Sequence, residues 1–153
     1  VSVIEGVKTT KLRVIPDERG RLIEIMRDDD ELFERFGQVY VTTVYPGVVK
    51  AWHFHKLQTD NIACVRGMIK LVLCDWRPES KTYLEIMELF IGEHNPLRVQ
   101  VPPMVLHGWK GVGSDEACVV NVPNKHYEYE NPDELRLPFD SPDVGYDWSI
   151  KFY

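Results

Sequence analysis

Apolar positions recur with a period of two along most of the chain. The runs 38–45 (QVYVTTVY), 49–55 (VKAWHFH), 61–67 (NIACVRG) and 68–77 (MIKLVLCDWR) follow one another between Gly and Pro punctuation, and each reads as a strand. Residues 97–103 (LRVQVPP), 107–113 (HGWKGVG) and 116–123 (EACVVNVP) continue the series. Upstream, 3–15 reads as an entry strand with polar interruptions, 17–20 as a turn and 21–26 as a further strand. Residues 81–91 mix β-branched and helix-forming positions and resolve into two short strand pieces. The segment 28–37 (DDDELFERFG) is the helical pattern: aspartates at its start, Leu32, Phe33 and Phe36 on one face, and Gly37 to end it. From Asn124 the chain is rich in Pro, Asp, Asn and Tyr, which predicts loops lying over the rim of the sheet structure. Short strands at intervals of about ten residues with one short helix argue for an all-β antiparallel sandwich or jelly roll, with a pocket in its mouth.

At 153 residues the chain suits a single domain spanning 1–153. Its formal charge of −6 argues against non-specific binding to nucleic acid, which needs clustered cations. A nucleotide ligand stays possible, because a diphosphate needs two or three local cations, and Arg19, Arg21, Lys50 and Lys56 can supply them. The three cysteines, Cys64, Cys74 and Cys118, sit in apolar runs without CxxC spacing, which suits a reducing cytoplasm better than a disulfide framework. No apolar run reaches the ~18 residues of a membrane span, so a soluble cytoplasmic protein is expected.

Chemistry concentrates in 47–67 (GVVKAWHFHKLQTDNIACVRG). On strand period His53 and His55 share one face, with Trp52 and Phe54 on the other. Two imidazoles side by side in a concave sheet form either a metal chelate or a general base with its neighbour. His94 and His126 read as surface residues in turns, Tyr127 and Tyr129 as packing over the rim, and the four tryptophans as core or interface anchors.

The order Gly47, His53, His55, Asp60, Gly67 resembles the first motif of the cupin superfamily, with Asp where that motif usually has Glu. Pro102, Met104 and His107 resemble the second. A narrower resemblance covers most of the chain. The run Asp17-Glu18-Arg19-Gly20-Arg21-Leu22-Ile23-Glu24 is similar to the D-x-R-G-x-F-x-E signature of the dTDP-4-dehydrorhamnose 3,5-epimerase (RmlC-like) family. Phe36-Gly37-Gln38, the stretch from Lys50 to His55 (against R-G-L-H-Y-Q), the stretch from Asp75 to Thr82, and Pro103 through Trp109 resemble later family segments in family order.

That resemblance implies a cupin jelly roll, a homodimer, a nucleotide-linked sugar as ligand and no cofactor. It implies proton abstraction alpha to a 4-keto group of a deoxysugar, with His53 as base and His107 as the second pocket histidine. Arg19 and Glu24 fall on positions that contact the diphosphate and nucleotide, Gln38 precedes the nucleotide-contacting strand, Tyr40 on that strand can stack, Lys50 is the cation beside the base, and His55 replaces the family glutamine. Three departures stand out. The family's acidic tyrosine falls on Val120, the lysine near the keto oxygen falls on Asp60, and the late aspartate that partners the base has no counterpart. Asp60 therefore joins His53 and His107 among the catalytic candidates. Two alternatives remain at the level of sequence. One is a metal-dependent cupin isomerase or dioxygenase holding Zn, Fe, Mn or Ni with His53, His55, Asp60 and His107. The other is a non-catalytic sugar-nucleotide binder.

Overall fold

The structure, a computed structural model, describes residues 3–152. Twelve strands occur among them: β1 (Lys8–Lys11), β2 (Val14–Asp17), β3 (Gly20–Ile23), β4 (Tyr40–Val44), β5 (Val49–Phe54), β6 (Asp60–Arg66), β7 (Met68–Asp75), β8 (Ile86–Gly92), β9 (Leu97–Val101), β10 (Val105–Gly111), β11 (Ala117–Asn121) and β12 (Leu135–Arg136). They form two five-stranded sheets, ordered β1-β9-β6-β11-β4 and β12-β5-β10-β7-β8, and a separate β2-β3 hairpin. Strand pairing within the sheets is antiparallel, which is the expected jelly roll.

The alternating pattern sorts side chains between two apolar layers. Ile62, Cys64, Val99 and Val119 from the first sheet meet Ile69, Leu71, Leu73 and Trp109 from the second in the main core. Ile69, Leu71 and Leu73 of β7 face this core. Val72 and Cys74 face the other way, into a second cluster with Trp52, Phe54, Leu106 and Trp148. That cluster is roofed by the tail, so β7 is buried on both faces and reads as a continuous apolar run.

The sequence pattern fails at 28–37, where the structure has no helix. Two successive turns stand there instead, closed by Asp30 N–H to Arg27 O and Phe33 N–H to Asp30 O. The backbone and carboxylates that would start a helix are engaged by β9. Arg98 donates to Asp30 and to Ile25 O, and Gln100 donates to Leu32 O. Phe36, expected on the buried face, is 60% exposed. Residues 81–84 form a turn and leave one strand, β8, in place of two pieces. The tail carries β12, which pairs with β5.

One irregularity matters for function. His107 pairs with His53, but the next pair on that face is Trp109 with Lys50, so β5 has an extra residue. This bulge turns Lys50 to the face that carries His53, against simple strand alternation. Gly108 makes room for it, since a Cβ there would lie 2.4 Å from Ala51 Cβ and 2.9 Å from Lys50 O. Gly108→Ala is expected to destabilise the fold by about 1–3 kcal/mol through overpacking, read as a lower urea midpoint with the slope unchanged.

Candidate active site

The two sheets part at one end around a cavity of about 1280 Å³. Gln38, Tyr40, Lys50, His53, His55 and His107 all line it. Lys50 reaches it through the bulge, with Nζ donating to Thr42 Oγ1 at 3.1 Å and Thr43 O at 2.6 Å. As strand period requires, His53 and His55 face this space while Trp52 and Phe54 lie behind in the second cluster.

Asp60 closes the floor from the first sheet and is fully buried. Its Oδ2 lies 3.1 Å from Nε2 of His55 and 3.1 Å from Nε2 of His107, an ion-pair approach without an aligned hydrogen bond. Gln58 Nε2 donates to Oδ1 at 2.8 Å. The other ring nitrogens face carbonyl oxygens: His55 Nδ1 meets Asp133 O, and His107 Nδ1 lies 3.1 Å from Val105 O. A carbonyl only accepts, so both Nδ1 atoms carry hydrogen and both Nε2 atoms must meet the carboxylate through a proton or a cation. Burial alone would raise the Asp60 carboxyl, but His107 and His55 outweigh it and hold its pKa well below the usual carboxylate range. Burial works against a charged His55 as well, yet Asp60 prevails and raises it.

His53 is in the opposite state. Burial, the neighbouring His107 and the Arg136 guanidinium lower its pKa to about 4, so the ring is neutral at physiological pH. Glu134 Oε1 lies 3.5 Å from His53 Nδ1 and also accepts from Arg136 at 3.1 Å. Glu134 thus stands where the resemblance expects an aspartate from later in the chain. It gets there because β12 pairs Arg136 with His53 and Leu135 with Phe54.

Not every expected residue converges. Arg19 has a side chain 84% exposed and pairs with Asp17 on the β2-β3 hairpin, and Glu24 pairs with Arg27; neither lines the cavity of its own chain. Arg21 is bound to Glu93. Val120 alternates with the buried Val119 and Asn121 and so faces away from the barrel interior. His53 stands apart from the group formed by His55, Asp60 and His107, whose ligand atoms lie within 4.8 Å of one another, so the four-residue metal set contracts to three. Sequence reasoning missed Gln58, Asp133, Glu134 and Arg136, together with the cavity cations Arg35 and Lys125. The apolar alternation of Leu135 and Leu137 was the available signal for the tail segment.

Comparison with known proteins agrees with this architecture. A model of the dTDP-4-dehydrorhamnose 3,5-epimerase family matches residues 2–152. The chain is 37% identical over 150 residues to a spore coat polysaccharide biosynthesis protein of Bacillus subtilis, covering 98% of this chain and 99% of that one. It is 37% identical over 152 residues to a probable low-salt glycan biosynthesis epimerase of Haloferax volcanii, covering 98% and 97%. A crystal structure of a dTDP sugar isomerase from Desulfovibrio desulfuricans superposes with a TM-score of 0.91 at 32% identity, over 95% of this chain and 92% of that one.

Asp60→Asn removes the charge that raises His55 and leaves its burial in place. The His55 pKa, followed by NMR of its imidazole protons, is expected to fall toward or below about 6.5. An unchanged value would mean that Asp60 is not its partner.

Proposed function

Because the chain belongs to the dTDP-4-dehydrorhamnose 3,5-epimerase family, we propose that it inverts a carbon alpha to the 4-keto group of a dTDP-linked deoxysugar, with His53 as the base. It is a sugar-nucleotide epimerase, an isomerase, and a role in building surface polysaccharide follows the relatives' naming. The observation that carries the reading is His53 itself, a neutral imidazole on the cavity wall with a carboxylate 3.5 Å behind it. A neutral ring can take a proton, and Glu134 then stabilises the imidazolium that forms. Lys50, tethered by Thr42 and Thr43, brings a positive charge suited to an enolate oxygen. Arg35, Lys56 and Lys125 on the cavity wall suit a diphosphate, and the cavity has the volume for a nucleotide-linked sugar. No cofactor is needed for this chemistry.

The active form we propose is a cytoplasmic homodimer. The β2-β3 hairpin carries Arg19 and Glu24 away from their own cavity and exposes Ile15 and Leu22, which suits a hairpin that reaches a second copy. Free Cys64, Cys74 and Cys118 suit a reducing compartment. A light-scattering mass of one chain would remove the dimer.

A second reading rests on the buried Asp60 oxygen. With Nε2 lone pairs from His55 and His107 facing it, the set offers two nitrogens and one oxygen, a donor set that fits Zn, Fe, Mn or Ni and would provide a Lewis acid beside the cavity. Elemental analysis of protein purified without chelator tests it: about one equivalent of metal supports the site, and less than about a tenth sinks it.

The main reading is tested in heavy water with a dTDP-4-keto-6-deoxy sugar, following the protons on carbons 3 and 5 by NMR. Wild-type protein should exchange one or both, and His53→Ala should slow exchange by about 100-fold or more. Exchange that survives in His53→Ala would assign the base elsewhere.

A further inference from the structure

Epimerisation removes a proton from one face of the sugar and returns one to the other, so base and acid must stand on opposite walls of the site. His53 belongs to β5 in the second sheet, and β4 and β11 of the first sheet form an opposing wall. Tyr40 pairs directly with Asn121 and Thr42 with Val119. Val119 and Asn121 are buried inward, and directly paired residues share a face, so Tyr40 and Thr42 point inward as well. Both line the cavity, whereas Val41 between them is 60% exposed. Tyr127 and Tyr129 also line the cavity, but they lie beyond β11, packed edge-on against each other at 5.2 Å, and Tyr129 is 89% exposed. Tyr40 is the tyrosine of this wall that a strand holds in place.

Its hydroxyl is set up for proton delivery. Asn121 Nδ2 donates to the Tyr40 oxygen at 2.8 Å. The oxygen is the acceptor in that bond, which leaves the hydroxyl proton able to point into the cavity. The same amide would stabilise the phenolate left after transfer. Burial, then the negative charge of Asp60, push the hydroxyl pKa up to about 12, so it is protonated at neutral pH.

We infer that Tyr40 is the general acid of this site, standing across the cavity from His53 and taking over from another strand the role that the family's pattern assigns to the position of Val120. The inference rests on the epimerase reading above. His53 takes the proton alpha to the keto group, and the electron pair of that C–H bond becomes the enolate. The enolate carbon then takes the Tyr40 hydroxyl proton on its other face, and the keto group reforms. Solvent reprotonates the phenolate and takes the proton from the His53 imidazolium; nothing is oxidised or reduced.

The test is Tyr40→Phe in heavy water with a dTDP-4-keto-6-deoxy sugar, scoring inversion and exchange separately. Inverted product should form at least about 100-fold more slowly, while exchange with retained configuration stays within about threefold of wild type, because His53 still removes and returns a proton on its own face. Inversion near the wild-type rate overturns the assignment. So does an equal loss of exchange and inversion with fold and dTDP binding intact, which would make Tyr40 a residue that positions the sugar. Wild-type protein that binds the sugar without exchange overturns the epimerase reading, and the role of Tyr40 with it.

Discussion

A carboxylate with no solvent contact must be balanced where it lies, and the balance of Asp60 organises this end of the molecule. Asp60 comes from the first sheet; His107 comes from β10 of the second, and His55 directly follows β5 of that sheet. Their ion pairs therefore tie the sheets together where the barrel opens. The ties run on outward. His55 faces the carbonyl of Asp133, and the Asp133 carboxylate accepts backbone N–H bonds from Lys56, Leu57 and Gln58 at 2.7–3.0 Å. Gln58 in turn donates to Asp60. The tail segment held by this loop is the one that brings Glu134 against His53. The buried charge and the orientation of the base are thus parts of one network of ion pairs and hydrogen bonds.

Behind that network the strand bearing the base is braced by packing. Trp52 is fully buried on the reverse of β5, with Trp148 at 5.1 Å and Tyr146 at 6.0 Å between ring centroids. Lys70 lies 5.2 Å from the Tyr146 ring, a cation–π approach, and Tyr146 donates its hydroxyl to Glu88. Burying rings of this size is the largest apolar contribution a single side chain can make. It keeps His53 in one orientation from the side the substrate never sees.

The sequence was most informative where local pattern and tertiary packing agree. Alternation in VKAWHFH assigned the two histidines to one face, and Gly and Pro punctuation marked most strand ends. It misled where long-range partners decide. In 28–37 the capping aspartates bind arginines instead: Arg98 on Asp30, Arg27 on Asp29. Alternation alone would turn Lys50 away from the site, and only the pairing with β10 reveals the bulge that brings it back. Asp60, read as a reversed charge at the family's lysine position, meets two of the imidazoles that the cupin-like spacing grouped with it, His55 and His107, while His53 stands apart. The missing late aspartate was a matter of looking downstream, when the carboxylate beside His53 lies in the NPDELR stretch.

The dependence of the site on β12 also separates the stability of the barrel from the completeness of its chemistry. Strands β4 to β11 form the main walls of the cavity, and β12 adds only a two-residue edge strand to the second sheet. Elements held by few pairs open locally before the core does, so release of β12 would leave the barrel closed around its core while His53 lacks Glu134 and the loop at 55–58 lacks Asp133. A chain in that locally open state would have the container without the finished chemistry. Activity then depends on a short stretch of tail staying docked on one sheet edge, while the barrel itself does not.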